Sequence, residues 1–301
     1  MADVSAQEAV SAQVRAAKLP AWRLGAGPVN ALPIILFLLI GFAAPLLAVI
    51  GYSFMPERTF GLWQQPTLEN YVTIFNGTSY ISFLWSLGLA AVTVLLLALI
   101  CYPVAYGLAR VFGRWSTLLT LLFTIPLFVS ENVRLYGWIL FFIKNGVLLG
   151  TLKSWFGVEP ESWLFTEGII ILGMVYVYLP FMLFPMTLGV SMVPKETRDA
   201  AFDLGATRWQ VFREVDLPLS MPGIIIGFLL SFVLAVGAIA EAKVLGGQQV
   251  IPITQDIEIA FTYAQNWPLG SALAVLLMVV VGALVLLVLR RFDLDVILGR
   301  R

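Results

Sequence analysis

The residues that most enzymes use for acid–base or metal chemistry are missing or isolated here. The sequence has no histidine, and its single cysteine, Cys101, lies inside an apolar run. Cys/His zinc sites, histidine-based catalysis and disulfides within the chain are thereby excluded. No Gly-x-x-x-x-Gly-Lys occurs, nor even a Gly-Lys dipeptide, so the chain has no P-loop for ATP. Gly-x-Ser-x-Gly and His-Glu-x-x-His are absent too. What remains is a set of polar residues arranged for contact. Residues 194–222, PKETRDAAFDLGATRWQVFREVDLPLSMP, carry nine charged side chains between two apolar runs long enough to cross a bilayer.

The order of residues in that island predicts two short helices joined by a turn. Pro194 suits a first helical position, where no N–H is needed. Gly205 stands where a helix would end in a left-handed residue. Thr207 and Gln210 have the spacing of a capping box that opens a second helix. Trp209, Phe212 and Val215 recur every three residues and give that helix an apolar stripe, and Pro218 is expected to end it. A helix–turn–helix with an apolar stripe, projecting from a membrane protein into water, has the make-up of a docking element.

The elements that must hold this island are membrane helices. Of the 301 residues 60% are hydrophobic and only 12% charged, with a mean hydropathy of +0.92. A soluble domain is nearer half apolar and a quarter charged. The net charge is zero, so no general attraction to nucleic acid follows. A helix needs about 20 apolar residues to cross the hydrocarbon. Six stretches qualify, at roughly 32–55, 80–109, 116–130, 168–192, 223–243 and 269–289, the third being short and expected to extend at one end. None alternates as a barrel strand would, so an all-α membrane protein is predicted. Thirteen of the 18 Lys and Arg residues fall on the side of the N-terminus and five on the other, which favours both termini inside. The domains expected are an inner N-terminal arm at 1–30, a six-helix membrane domain at 31–292 and an inner tail at 293–301. No cleaved signal peptide is expected. Gly223 and Gly227 form a small-xxx-small pair suited to close helix packing. The aromatics of the outer segments 131–167 and 244–268, such as Tyr136, Trp138, Trp155 and Trp267, suit either an interfacial belt or a gate and docking surface.

The island also resembles the cytoplasmic EAA loop of bacterial ABC import permeases. That pattern reads E-A-A, three residues, G, nine residues, I-x-L-P. Here Asp199, Ala200, Ala201, Gly205, Val215, Leu217 and Pro218 fill every position, with Asp for Glu and Val for Ile. From about residue 60 to 290 the chain is similar to the spermidine/putrescine branch of these permeases. The matching stretches are residues 132–138 (NVRLYGW), 145–146 (NG), 178–182 (YLPFM), 245–247 (LGG) and 266–270 (NWPLG).

The resemblance implies a type I ABC importer permease in the bacterial inner membrane, itself non-catalytic and without a cofactor. ATP and its magnesium would be bound by a separate pair of ATPase subunits. A second, related permease would complete the pathway, and a periplasmic binding protein would deliver the substrate. The loop would be the mechanical contact with the ATPase, with Gly205 setting the angle between its helices and Trp209 and Phe212 as buried anchors. A polyamine path should present carboxylates and aromatic faces. The candidates are Glu131 and Glu241, at the outer ends of the third and fifth spans, with Tyr136 and Trp138 beside them. Each carboxylate has a plainer alternative: Glu131 pairing with Arg134 one turn away, and Glu241 lying at the interface beside Lys243. Another amino-bearing or organic-cation substrate remains open. A self-sufficient secondary transporter would instead need charges at span centres and inverted repeats. The spans carry almost no such charge.

Overall fold

The computed structural model describes residues 26–61, 63–157 and 161–291, and among these there are helices and no strand. The chain divides into two compact units, Met1–Gly51 and Tyr52–Arg301. The first carries helix α1 (Ala26–Leu38), a π-helical turn (Leu39–Ala43) and most of α2 (Ala44–Ser53). Side chains such as Phe37 and Phe42 are exposed all round this helix, as expected where lipid is the solvent. Its backbone is already helical at 26–30, inside the arm expected at 1–30; residues 1–25 and the tail at 293–301 lie outside the described residues.

The second unit is built around three helices, α4 (Ser79–Tyr106), α8 (Glu167–Ser191) and α11 (Leu217–Val236). Leu97, Met174, Met182, Leu183 and Met186 are fully buried between them. The expected small-residue contact is present at the start of α11. A Cβ added at Gly223 would lie 2.4 Å from the Pro185 carbonyl oxygen and 2.6 Å from Gly189 Cα, so the two backbones touch. Around this trio stand α3 (Glu69–Asn76), α5 (Trp115–Thr124), α6 (Glu131–Phe142), α7 (Val147–Phe156), α9 (Lys195–Asp203), α10 (Arg208–Val211), α12 (Ala240–Val244), α13 (Ile253–Thr262) and α14 (Trp267–Arg291). A second, smaller core joins α3, α4, α13 and α14 through Ile74, Phe83, Ile253 and Leu273.

Six helical stretches are long and apolar enough to cross a membrane: Ala31–Ser53, Ser79–Val111, Glu131–Phe156, Glu167–Ser191, Arg208–Val236 and Trp267–Arg291. The number agrees with the sequence, but the third and fifth differ from expectation. The expected third span survives as a shorter apolar helix, Trp115–Phe128. At 1.5 Å per residue that covers about 21 Å, short of the ~30 Å of hydrocarbon. It starts beside the end of α4, where the Ser116 hydroxyl donates to the Leu108 carbonyl at 2.6 Å. After a break at Val129–Ser130, α6 continues away from that end and packs against α8 and α12. The stretch long enough to cross is therefore Glu131–Phe156, and residues 131–142 belong to the bundle rather than to an outer segment. The fifth span begins earlier and ends earlier than the expected 223–243, running as helix from Arg208 to Val236, with α12 a separate short helix after Gly237.

Candidate functional site

The 194–216 loop stands at one end of the bundle and follows the predicted grammar closely. Gly205 has φ +85° and ends the α9 segment with its Cβ position in open space. Thr207 and Gln210 form the capping box: the Gln210 amide donates to Thr207 Oγ1 at 3.3 Å and the Thr207 amide to Gln210 Oε1 at 2.8 Å. Two details differ. Pro194 precedes the first helical residue as the N-cap. Pro218 does not end the second helix. A π-helical turn at Phe212–Asp216, in which the Leu217 amide reaches the Phe212 carbonyl, widens the backbone and absorbs the missing proline donor. The helix runs straight on into α11.

The apolar residues of this loop divide between two jobs. Leu204 is 90% exposed and Trp209 66%, with Phe202 exposed beside them. Phe212 is turned inward instead, edge-on to Tyr102 and Tyr106 of α4 at 5.8 and 6.4 Å between centroids, and Trp209 stacks on its outer side at 5.2 Å. The expectation of two anchors for a partner is thus corrected, since Phe212 is already held by its own bundle. Asp199 and Ala200 are exposed on α9, Ala201 and Val215 half-buried, Leu217 half-buried and Pro218 exposed.

The loop is fastened by charges that sequence reasoning missed. Arg198 Nε lies 2.9 Å from Asp216 Oδ1, and Asp216 is 1% exposed. Arg198 Nη2 donates to the Tyr106 hydroxyl at 2.9 Å, and that hydroxyl donates to Asp216 Oδ2 at 3.1 Å. The closed triangle binds α9 to the root of α11 and to the end of α4. Arg110 adds a second clamp by donating to the carbonyls of Val190 (2.8 Å) and Val193, just where α8 leaves the bundle. The one signal in the sequence is Asp216 itself, a charge set between apolar residues at the head of a long apolar helix.

The path candidates lie toward the other end of the bundle. Glu241 on α12 is fully buried, with its Cγ 3.8 Å from the Cβ position of Gly173 on α8. Neither of its carboxylate oxygens has a hydrogen bond of normal geometry, although the Tyr178 hydroxyl faces it and the charges of Glu131 and Arg134 reach it. Glu131 is the first residue of α6 and stands at one end of the candidate span Glu131–Phe156. Among the described residues the ion pairs within 4.0 Å are Arg198–Asp216 and Lys243–Glu258. No Glu131–Arg134 pair forms, and the Lys243 ammonium is paired with Glu258 rather than with Glu241. Trp138 stands edge-on to Tyr176 at 5.6 Å, inside the cluster. Tyr136 does not join it. It is 57% exposed on the opposite face of α6, with Val133 and Leu140.

Comparison with known proteins bears on both ends. Residues 95–297 match the family model described as "Binding-protein-dependent transport system inner membrane component". The spermidine/putrescine transport system permease protein PotB of Haemophilus influenzae is 34% identical, over 84% of this chain and 87% of that protein. PotB of Escherichia coli K12 is 32% identical, over 80% and 89%. Among solved structures, a bacterial ABC transporter that imports the acidic polysaccharide alginate superposes with a TM-score of 0.74 at 18% identity, covering 87% of this chain and 93% of the matched one. That likeness shows the fold alone. A polytopic helical chain with no catalytic or ATP-binding motif, matched along two-thirds of its length by one model, leaves a single assignment: this chain is a permease subunit belonging to the family of binding-protein-dependent transport system inner membrane components.

Proposed function

We propose that this permease takes up a polyamine of the spermidine/putrescine type, with both of its termini in the cytoplasm. The observation that carries the reading is its 34% identity, across 84% of the chain, to a protein named for spermidine and putrescine transport. The buried Glu241 and the aromatic neighbours of Arg134 support it, because a long polycation is passed along by carboxylates and ring faces. A periplasmic binding protein delivers the substrate, and a second related permease completes the path. An ATPase pair docks on the 194–216 loop through Leu204, Trp209 and Phe202, with Gly205 setting the angle of the two helices and Asp199, Ala200 and Ala201 lining the first. The remaining loop positions, Phe212, Val215, Leu217 and Pro218, transmit the movement into α11. ATP and magnesium are bound by the ATPase, and this chain holds no cofactor.

The test is uptake of labelled spermidine by cells with and without this chain, partner subunits present, competed with an excess of unlabelled amines. Uptake that requires the chain and is blocked only by polyamines is the expected result. Intact assembly and active ATPase without spermidine uptake removes the polyamine and keeps the importer.

A further inference from the structure

Three unsatisfied features meet in the half of the bundle away from the loop. The Arg134 guanidinium lies over the Tyr176 ring at 5.5 Å, with Nε and Nη1 buried and without hydrogen-bond partners. Glu241 is fully buried and in no ion pair, with the Tyr178 hydroxyl facing it. Between α6 and α8 an open groove of about 310 Å³ is walled by Trp138, Phe141 and Tyr176, with Gly137 and Arg134 completing it.

We propose that this groove is a binding site for an alkylammonium group, and that Arg134 is its resident cation, which the ligand displaces onto Glu241. The ring faces carry the negative end of the aromatic quadrupole, so they suit a cation and offer an anion nothing. Arg134 already occupies the cation's place over Tyr176. An arriving ammonium and the guanidinium repel each other in one groove, and the guanidinium has a destination of opposite charge close by. Leu135, the next residue, and Glu241 both approach the Cβ position of Gly173, at 3.5 and 3.8 Å. Glu131 is the competing destination, three residues before Arg134 on the same helix, but it is partly exposed and not enclosed as Glu241 is. A carboxylate that is buried outside any ion pair is the costlier of the two to leave uncompensated. The new pair would tie α6 to α12, which follows α11 directly, so occupation of the groove would be felt along the helix rooted in the loop. The inference rests on the amine-importer reading.

The test uses the whole importer, reconstituted with its second permease, ATPase and binding protein, with spermidine uptake expressed per assembled complex. Arg134→Gln and Glu241→Gln are each expected to lower kcat at least tenfold, and the double variant to be no slower than the slower single. Arg134→Lys, still a cation able to reach Glu241, is expected to stay within threefold of wild type. In equilibrium dialysis of the permease pair, Arg134→Gln is expected to bind spermidine at least threefold more tightly, because the resident competitor is gone. That measurement stands even where Glu241→Gln does not assemble. Additive losses in the double variant, wild-type kcat in both glutamine variants, or unchanged or weaker binding by Arg134→Gln overturns the proposal. Failure of the wild-type complex to import any amine overturns the amine reading, and the proposal with it.

Discussion

Removing Arg198 should loosen the loop far more than neutralising its partner Asp216. Asp216 is 1% exposed and Arg198 19%, so the two sides of the pair are not equivalent. In Arg198→Ala the carboxylate stays buried, keeping only the Tyr106 hydroxyl at 3.1 Å. Leaving a buried charge without its partner costs about 3–5 kcal/mol. In Asp216→Asn the arginine turns its head to water through its exposed edge and retains the option of Tyr106. The loss is then closer to that of one charge-assisted hydrogen bond, about 1.5–3 kcal/mol. Replacing both, as Arg198→Met with Asp216→Leu, removes the desolvation penalty and should be nearly neutral. The readout is amide hydrogen exchange in α9 of the purified importer. Each ~1.4 kcal/mol raises the open fraction about tenfold, so Arg198→Ala should speed exchange by roughly 150-fold or more and Asp216→Asn by clearly less. Equal protection in all variants, or a larger effect from Asp216→Asn than from Arg198→Ala, would refute the view that this pair holds the loop.

Three further perturbations separate packing from coupling. Gly205→Val meets no neighbouring atom, yet it forces a β-branched residue to φ +85°; ATP hydrolysis should continue while uptake falls, measured side by side in proteoliposomes. Gly223→Leu places atoms inside the contact with Pro185 and Gly189, so α8 and α11 cannot meet and assembled complex should be lost from detergent extracts. Trp209→Ala removes a ring that is 66% exposed, so the bundle should keep its stability while the ATPase is held less tightly; an exposed aromatic anchor is worth about 2 kcal/mol, or some 30-fold in affinity, readable by titrating ATPase onto permease in nanodiscs.

The loop was legible because its signals are local. A left-handed glycine, a Thr-x-x-Gln cap and a three-residue apolar spacing each depend on a few neighbours, and Gly205, Thr207 and Gln210 sit as their spacing requires. Pro218 misled because proline breaks a regular helix, whereas the π-helical turn before it accommodates the missing donor. Phe212 misled for another reason. An apolar stripe tells which face is buried but not against what, and here the partner is α4 of the same chain.

Contacts between distant segments had no local signature. Eighteen residues separate Arg198 from Asp216, and 110 separate Tyr106 from Asp216, so no spacing rule links them. The third crossing shows the same thing at the scale of an element. A hydropathy window reads 116–130 as one short span and gives 131–142 to the outside because Glu131, Asn132 and Arg134 interrupt the apolar run. Those polar residues instead open the candidate span Glu131–Phe156, whose first helix packs against α8 and α12, so the interruption lies within the bundle. Charge inside a membrane bundle is expensive unless it serves a path. Glu131 and Arg134, half-buried on a helix packed into the bundle, and Glu241, fully buried on α12, therefore bear more heavily on substrate transfer than fully exposed residues would, and they direct mutagenesis of this permease to the joint of α6, α8 and α12.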